Sequence, residues 1–340
     1  MKKRVRDSKF ELLRILSMVF IIASHFSVEG NWLINKHNFF YLYLFQPLGQ
    51  VGVYCFVMIS GYFLSKREYS LFDMKIRIVK LWLRVLLVSW TILLICFFTK
   101  ISVINISSLI KAIFPVIFQQ YWFITSFIVL MLFVPILNLM ISKFSRKEFF
   151  YYILIFVFIT VILPRIPKFN VWPIGNILSA GILITIYLIA GYIRKYDVQV
   201  KKNKLIVIMI LFLGLEYASM YLIGKFTIVK ASIYLTYGFL PLIVAICLFL
   251  FVKEKPKFYN KQINWIASSV LMAYLVTEHT LFREFLWKNI LNFRLYQNNV
   301  FFVILLGILV SFSIVLLFSL VDKLYERLTN KIISFFYSSK

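Results

Sequence analysis

Seven ionisable side chains stand inside long apolar stretches of the sequence, where they could transfer protons or hold a charged ligand. A charged residue at the centre of a membrane-spanning helix costs about 2.5–3.5 kcal/mol on insertion scales, so its presence needs a reason. Glu11 and Arg84 lie near helix ends and can extend to the interface, and Glu216 can equally be a buried packing partner. The seven residues are Glu11, Arg14, His25, Arg84, Glu216, Glu278 and His279.

Arg14 and His25 are the most informative pair, because their spacing places both on one side of a helix. They are eleven residues apart, and eleven steps of about 100° return to within about 20° of the starting direction. Along the axis they are separated by roughly 16 Å. Arginine is a permanent cation suited to phosphate or carboxylate, and histidine transfers protons near neutral pH. The spacing therefore predicts an anion anchor at one depth and a general base at another.

A group of cations lies just before and within the third apolar run. Arg77, Lys80 and Arg84 are spaced i, i+3 and i+7, which puts them on one helical stripe. By itself such a stripe is typical of the positive flank of a membrane helix. Because it is predicted to lie level with Arg14, it also fits a site for a polyanion.

Glu278 and His279 form a third group near the end of the ninth apolar run. They lie 15 and 16 residues into that run, and His25 lies 15 residues into the first, which is predicted to cross in the same direction. A carboxylate that hydrogen-bonds an imidazole fixes its tautomer and raises its basicity. We therefore expect Glu278 and His25 at similar depth, where Glu278 could orient His25.

The composition places these residues in a membrane protein. Of the 340 residues, 62% are hydrophobic and 15% are charged. Soluble globular chains are about 45–50% apolar and about 25% charged, so that class is excluded, as are disordered chains and disulfide scaffolds. The net charge of +25 does not indicate a nucleic-acid partner, because such proteins do not carry this much apolar surface. The three cysteines lie in apolar runs without metal-ligand spacing, and we expect no bound metal.

The elements that must position the charged residues are about ten apolar runs of roughly the 20 residues that a membrane-spanning helix needs. Of the 38 Lys and Arg, 26 lie in one set of alternate loops and termini and ten in the other. The positive-inside rule then places both termini in the cytoplasm. We predict an all-α, polytopic integral membrane protein with a single transmembrane domain over 1–340. The predicted spans are 10–26, 41–64, 81–99, 121–141, 149–163, 174–193, 205–223, 231–252, 263–281 and 300–321.

The segment 101–120, on the predicted outer side, has an amphipathic pattern. Leu109, Ile113 and Ile117 fall on one stripe, which is typical of a helix that lies in the membrane interface. The sequence has no internal repeat and no glycine-rich phosphate loop.

Several short segments of the sequence form a recognisable series. The first is Phe10-Glu-Leu-Leu-Arg14-Ile-Leu, followed by His25 at the spacing Arg-x10-His. The later ones are Phe56-Val-Met-Ile-Ser60-Gly-Tyr-Phe-Leu, the basic stretch 77–84, Tyr121-Trp122-Phe-Ile-Thr, Ile189-Ala-Gly-Tyr192-Ile-Arg-Lys and 268–287. Together they resemble the membrane-bound acyltransferase-3 family, which includes bacterial O-acetyltransferases of envelope polysaccharides. The resemblance covers essentially the whole chain.

The resemblance implies an acyltransferase of the bacterial cell membrane that uses cytoplasmic acetyl-CoA as acyl donor and holds no permanent cofactor. The acceptor would be a hydroxyl of an envelope or capsular polysaccharide, or of its lipid-linked repeat unit. His25 would act as the base or accept the acyl group transiently, with Arg14 and Glu278 completing the catalytic set. The residues expected to bind the donor are Arg14, Arg77, Lys80 and Arg84, and those expected to bind the acceptor are Ser60, Tyr121, Trp122 and His279.

One segment departs from the family's pattern, and other functions stay open. In Tyr274-Leu-Val-Thr277-Glu278-His279, Thr277 stands where many relatives have histidine, and this departure implies a different acceptor pocket. Intramembrane charges are equally compatible with a transporter or flippase for a glycan or small anion. The same fold could also transfer another acyl group, such as succinyl, or use peptidoglycan as acceptor.

Overall fold

A computed structural model describes residues 6–165, 175–227 and 238–338, and every regular element in these ranges is helical. Short π-helical turns at Phe158–Ile162 and Leu286–Ile290 and 3-10 turns at Leu163–Arg165 and Arg294–Tyr296 continue or connect the α-helices. The helices are α1 (Ser8–Glu29), α2 (Phe39–Leu42), α3 (Gln46–Leu64), α4 (Leu71–Thr99), α5 (Ile106–Ile113), α6 (Trp122–Lys143), α7 (Arg146–Val157), α8 (Gly175–Lys195), α9 (Lys202–Phe226), α10 (Phe239–Lys253), α11 (Lys261–Ala267), α12 (Leu271–Thr277), α13 (Thr280–Phe285) and α14 (Val300–Ser338).

Helix α1 is central to the bundle and runs without interruption from the Asp7 cap, whose side chain accepts a hydrogen bond from the Lys9 N–H. It packs against α3, α10, α11, α12 and α14. Its approach to α3 is close because Gly52 has no side chain, and a Cβ there would collide with the carbonyl oxygen of Ser17. Arg14 and His25 therefore lie on one uninterrupted helix, as predicted.

Six of the described helices are long and apolar enough to span a membrane, so the prediction of about ten spans is not confirmed. The six are Ser8–Glu29, Phe39–Leu64, Leu71–Thr99, Trp122–Lys143, Lys202–Phe226 and Val300–Ser334. The predicted span 149–163 instead becomes the short α7 with a π-helical and 3-10 continuation. Parts of the predicted spans 174–193 and 231–252 lie outside the described residues.

The predicted span 263–281 is not one helix, which corrects the sequence-based expectation. It is divided into α11, α12 and α13, with breaks at 268–270 and 278–279. Hydroxyl and imidazole groups satisfy the backbone around the second break: the Thr277 hydroxyl donates to the Ala273 carbonyl oxygen at 2.9 Å, and His279 caps α13. Non-helical backbone at membrane depth is tolerated where protein buries it or where it lines a polar cavity. Glu278 lies at this break.

The surface of the long helices is apolar, as contact with lipid requires. Val207 and Ile210 on α9 and Leu309 and Leu317 on α14 are all exposed. Since such a belt would be unstable in water, these exposed residues identify a multi-pass membrane protein together with the long apolar helices.

The predicted interfacial segment contains the short helix α5. A reciprocal capping box between Asn105 and Ser108 begins it. Its apolar side is outward, with Ile106 78% exposed, and its carboxyl end is held to α4 by the Ser89 hydroxyl, which donates to the Ala112 carbonyl oxygen at 2.8 Å. An exposed apolar face on a helix this short is typical of an element that rests against lipid.

Candidate active site

His25 and Glu278 come together in the structure, although the sequence separates them by most of its length. The His25 Nδ1 atom lies 3.4 Å from Glu278 Oε1, and both side chains are largely buried, at 19% and 15% exposure. This separation is slightly longer than an ordinary N–H···O hydrogen bond, and neither atom has another partner among the described residues. With the carboxylate at Nδ1, the other ring nitrogen, Nε2, is the one that could take a proton from a substrate.

Two further charged residues extend this pair toward the carboxyl end of α1. The Arg283 guanidinium on α13 lies 3.8 Å from Glu278 Oε2 and 3.4 Å from Glu29 Oε1. Arg283 therefore lies near two carboxylates and approaches the Glu278 oxygen that does not face His25. We call His25, Glu278, Arg283 and Glu29 the far-end network, because they lie at the end of α1 opposite its amino terminus.

His279 is buried beside this network and has partners at both ring nitrogens. Its Nδ1 atom accepts from the Leu281 N–H at 3.3 Å, and its Nε2 atom lies 3.1 Å from the Ser89 hydroxyl oxygen. Because that hydroxyl donates to the Ala112 carbonyl oxygen, Nε2 must be the donor to Ser89. His279 thus caps α13 and joins it to α4. Fully buried and engaged in this way, it presents no free nitrogen to an acceptor.

Aromatic rings form one wall of the far-end network. The Tyr274 ring lies 6.3 Å from the His25 ring and 6.0 Å from that of Tyr121, measured between centroids. Tyr121 in turn lies 6.1 Å from the His279 ring. The predicted acceptor residue Tyr121 is therefore connected to His25 only through the Tyr274 ring, and its side chain is almost completely buried.

At the amino-terminal end of α1 the structure contains a cavity of about 1200 Å³, which we call the basic cavity. Four acidic side chains also line it: Asp7, Glu11, Asp197 and Glu254. The nine cationic side chains that line it come from several helices and loops, and they are Arg6, Lys9, Arg14, Lys66, Arg67, Arg77, Arg194, Lys253 and Lys257.

Contacts between neighbouring elements hold the wall of the basic cavity. The Lys9 ammonium donates to the carbonyl oxygens of Lys253 and Lys255 at 2.7 and 2.6 Å, which ties α1 to the end of α10. Lys253 also pairs with Asp197 at 2.7 Å, and this hydrogen bond lowers the pKa of the Asp197 carboxyl below its usual value. That acid is therefore ionised and reduces the positive charge of the cavity.

Arg14 lines the basic cavity and is held by its own helix. Its Nη1 atom donates to Glu11 Oε2 at 2.5 Å, one turn earlier, and its guanidinium lies 6.0 Å from the centre of the Phe56 ring. An arginine with one hydrogen bond to a carboxylate keeps further donors free for an anion.

A protein-family model described as an acyltransferase domain matches residues 7–319. The chain belongs to the membrane-bound acyltransferase-3 family. The match confirms the resemblance seen in the short motifs and identifies a membrane acyltransferase. Neither the curated proteins nor the solved structures gave a match.

In this acyltransferase the three residues of the predicted basic stripe have different surroundings. Arg77 lines the basic cavity and stacks over the Tyr69 ring at 5.2 Å. Lys80 is exposed and lies outside the cavity lining. Arg84 is turned toward α14, where its Nη1 atom lies 3.4 Å from Oδ2 of the fully buried Asp322. Lys80 and Arg84 therefore lie outside the basic cavity although they share a helical stripe with Arg77, because the three residues occupy successive turns along α4 and meet different neighbours.

The remaining residues predicted to contact substrate lie within the helices of the acyltransferase. The Ser60 hydroxyl donates to the Phe56 carbonyl oxygen of its own helix at 3.2 Å. Trp122 is partly buried at the start of α6, 6.0 Å from the Phe123 ring. The structure does not bring Ser60 or Trp122 into a described contact with His25 or Glu278.

Three residues of the acyltransferase site escaped the sequence analysis. Arg194 lines the basic cavity and lies 4.6 Å from the centre of the Tyr62 ring, so it joins the motif at 189–195 to the one at 56–64. Arg283 and Glu29 belong to the far-end network. Arg194 stands in a quoted motif, but the sequence analysis gave none of the three a role, because their proximity to the site depends on packing between distant segments.

Proposed function

We propose that this membrane acyltransferase transfers an acetyl group from cytoplasmic acetyl-CoA to a hydroxyl of a cell-envelope polysaccharide or of its lipid-linked repeat unit. The observation that supports this most is the placement of His25 Nδ1 at 3.4 Å from Glu278 Oε1, on the same helix that carries Arg14 into the basic cavity. One continuous helix thus joins a candidate base to a candidate site for a polyanionic donor.

The basic cavity is the proposed site for the nucleotide end of the donor. The phosphates of coenzyme A are polyanionic, and arginine forms directed hydrogen bonds with phosphate oxygens. Arg14, Arg77 and Arg194 are the cavity residues best suited to this task, since each presents a guanidinium to the cavity. The thioester would then extend along α1 toward His25, roughly 16 Å further along the axis.

His25 is the proposed general base. Its Nε2 atom takes the proton of the acceptor hydroxyl while that oxygen attacks the thioester carbonyl carbon, and Glu278 stabilises the imidazolium that forms. The carbon–sulfur bond then breaks, and the thiolate of coenzyme A leaves with the proton from His25. The alternative route transfers the acetyl group first to His25 and then to the hydroxyl, and a trapped acetyl-imidazole would distinguish it.

The orientation in the membrane follows from charge. Loops rich in Lys and Arg face the cytoplasm, and nine cationic side chains line the basic cavity. We therefore place the basic cavity, and with it both termini, on the cytoplasmic side of a bacterial cell membrane. The far-end network then faces the outer side, where envelope glycans are found.

The test uses the purified full-length protein in lipid nanodiscs with labelled acetyl-CoA and polysaccharide isolated from cells that lack the protein. We expect labelled, alkali-labile ester on the glycan with wild-type protein and none with His25→Ala. The matched control is His37→Ala, an exposed histidine in the loop after α1, which should retain wild-type rates. Equal amounts of folded protein are checked by size-exclusion chromatography.

Other outcomes separate the alternatives. Ester formation by His25→Ala at the wild-type rate contradicts the role of His25. Glycan uptake into vesicles without consumption of acetyl-CoA indicates the transporter. Parallel reactions with succinyl-CoA and with peptidoglycan fragments identify the acyl group and the acceptor, and nuclear magnetic resonance of the product locates the modified hydroxyl.

A further inference from the structure

A second cavity, of about 780 Å³, opens beside the far-end network and has no role in the mechanism described above. It lies between the end of α4, the loop 100–105, helix α5 and helix α13, and we call it the far-end cavity. On the proposed orientation it faces the outer side of the membrane.

The far-end cavity is cationic. Lys100, Lys111 and Lys288 line it, and Glu284 is its one acidic side chain among the described residues. Lys288 is paired with Glu284 at 2.6 Å. The ammonium groups of Lys100 and Lys111 form no hydrogen bond or ion pair with any described residue. The far-end cavity is therefore lined by two cations that have no described partner.

This concentration of lysines is unusual for its side of the molecule. Only ten of the 38 Lys and Arg lie in the loops assigned to the outer side, and three of these ten line this cavity. The positive-inside rule explains cations on the cytoplasmic side and gives no reason for a cluster opposite. A ligand that carries negative charge gives such a reason.

The far-end cavity also has groups that suit a hydroxylated ligand. Ile106 and Ile110 expose the apolar side of α5 toward the bilayer, whereas Ser107 and Lys111 of the same helix line the cavity. Asn289 adds an amide from the opposite wall. Hydroxyl and amide groups beside lysines suit a ligand that carries both hydroxyl and acidic groups, as an acidic glycan does.

One short helix separates the far-end cavity from the proposed catalytic pair. Thr280, Glu284 and Phe285 of α13 line the cavity, and Arg283 of the same helix approaches Glu278. A polymer seated in the cavity therefore lies about one helix diameter, roughly 10 Å, from the Glu278 carboxylate. That distance is within the length of a few sugar units.

We infer that the far-end cavity binds the carboxylate or phosphate groups of an acidic glycan, and that this glycan is the acceptor polymer. The inference rests on the proposed function for the identity of the ligand as acceptor. Lys100 and Lys111 contact the acidic groups, while Ser107 and Asn289 contact sugar hydroxyls. Neutral polymers of the same length bind only through the latter contacts and therefore bind more weakly.

The test measures binding to full-length protein in phosphatidylcholine nanodiscs without acetyl-CoA. Three oligomers of equal length serve as probes: an oligogalacturonate that carries carboxylates, a glycerol phosphate oligomer that carries phosphates, and a neutral dextran. We expect at least one charged oligomer to bind about tenfold more tightly than dextran. The variant Lys100→Gln/Lys111→Gln should lose that tenfold, whereas Lys100→Arg/Lys111→Arg keeps it. Lys36→Gln, an exposed lysine on the same side, is the matched control and should bind like wild type.

The outcomes that overturn the inference are clear. Equal affinity for charged and neutral oligomers, or unchanged affinity in the glutamine variant, contradicts an anionic glycan site. Loss of phosphatidylglycerol binding in that variant, with no change for the oligomers, assigns the lysines to a lipid headgroup instead. Because the assay needs no acyl transfer, charge-dependent binding by a protein that never acetylates the glycan would support the cavity and refute the proposed function.

Discussion

Helix α1 carries Arg14 into a cavity with nine cationic side chains at one end and His25 beside one carboxylate at the other. At the first end many residues share one task, the attraction of negative charge, and Coulombic attraction does not depend on which cation supplies it. At the second end a proton must move at one atom, and no other described imidazole is in place. Single substitutions in the basic cavity should therefore weaken donor binding gradually. A single substitution in the central pair of the far-end network should remove most of the acetyl transfer.

The largest effect that tests this contrast is expected from Glu278→Gln. Loss of the carboxylate removes the group that stabilises the His25 imidazolium, and general acid–base catalysis contributes about 10²–10⁴-fold. We expect kcat for acetyl transfer to fall by about 10²-fold with little change in KM for acetyl-CoA. Glu68→Gln, in the exposed loop before α4, is the matched control. A Glu278→Gln protein with near-normal kcat would show that His25 works without this partner.

Arg14→Ala is expected to have the next largest effect and is the exception within the basic cavity. A hydrogen bond to a charged group contributes about 1.5–3 kcal/mol, which corresponds to an affinity change of about 10–100-fold. We expect coenzyme A to bind about 30-fold more weakly, as measured by calorimetry. Because the substitution also leaves Glu11 without its partner, Glu11→Gln/Arg14→Gln removes both charges and controls for folding. Unchanged coenzyme A affinity in both variants would remove Arg14 from the donor site.

The two ends also differ in how far the sequence alone could predict them. Residue counting from the helix starts predicted that His25 and Glu278 lie at similar depth, and the structure brings them within 3.4 Å. The sequence did not predict the breaks around 268–270 and 278–279, because the apolar pattern continues through them. Hydropathy reports the environment of a segment and not whether its backbone stays helical.

The sequence also could not predict which residues distant along the chain would pair with each other. Arg84 was correctly placed on a helical stripe, but its partner Asp322 lies one residue beyond the predicted last span and more than 200 residues away in sequence. Helical periodicity defines the face of a helix and leaves open which element packs on it. Arg194 and Arg283 were given no role for the same reason, since each reaches its site through tertiary packing.

Arg283→Gln tests whether the far-end network needs more than its central pair. Arg283 lies 3.8 Å from Glu278 Oε2, the oxygen that does not face His25, and its loss should let that carboxylate move away from Nδ1. We expect kcat to fall about tenfold while KM for acetyl-CoA stays unchanged, because misplacement of a catalytic group lowers the rate without affecting donor binding. Arg283→Lys should recover part of the rate. If Arg283→Gln instead raises both KM values and lowers protein yield, the residue supports folding and does not position Glu278.

The smallest expected effect, on KM for acetyl-CoA, distinguishes Arg77 from Lys80, two cations of α4 that the sequence analysis assigned to the same site. Arg77 lines the basic cavity, whereas Lys80, three residues later, is exposed outside it. Arg77→Ala should raise KM for acetyl-CoA by only about threefold, because eight other cations still line the cavity and surface charge pairs contribute about 0.2–1 kcal/mol each. Lys80→Ala should leave KM unchanged. Raised salt should narrow the difference, since screening weakens exposed charges first. Equal threefold effects in both variants would mean that donor binding depends on the net charge of the whole face. The basic cavity would then not be the specific binding site of the donor.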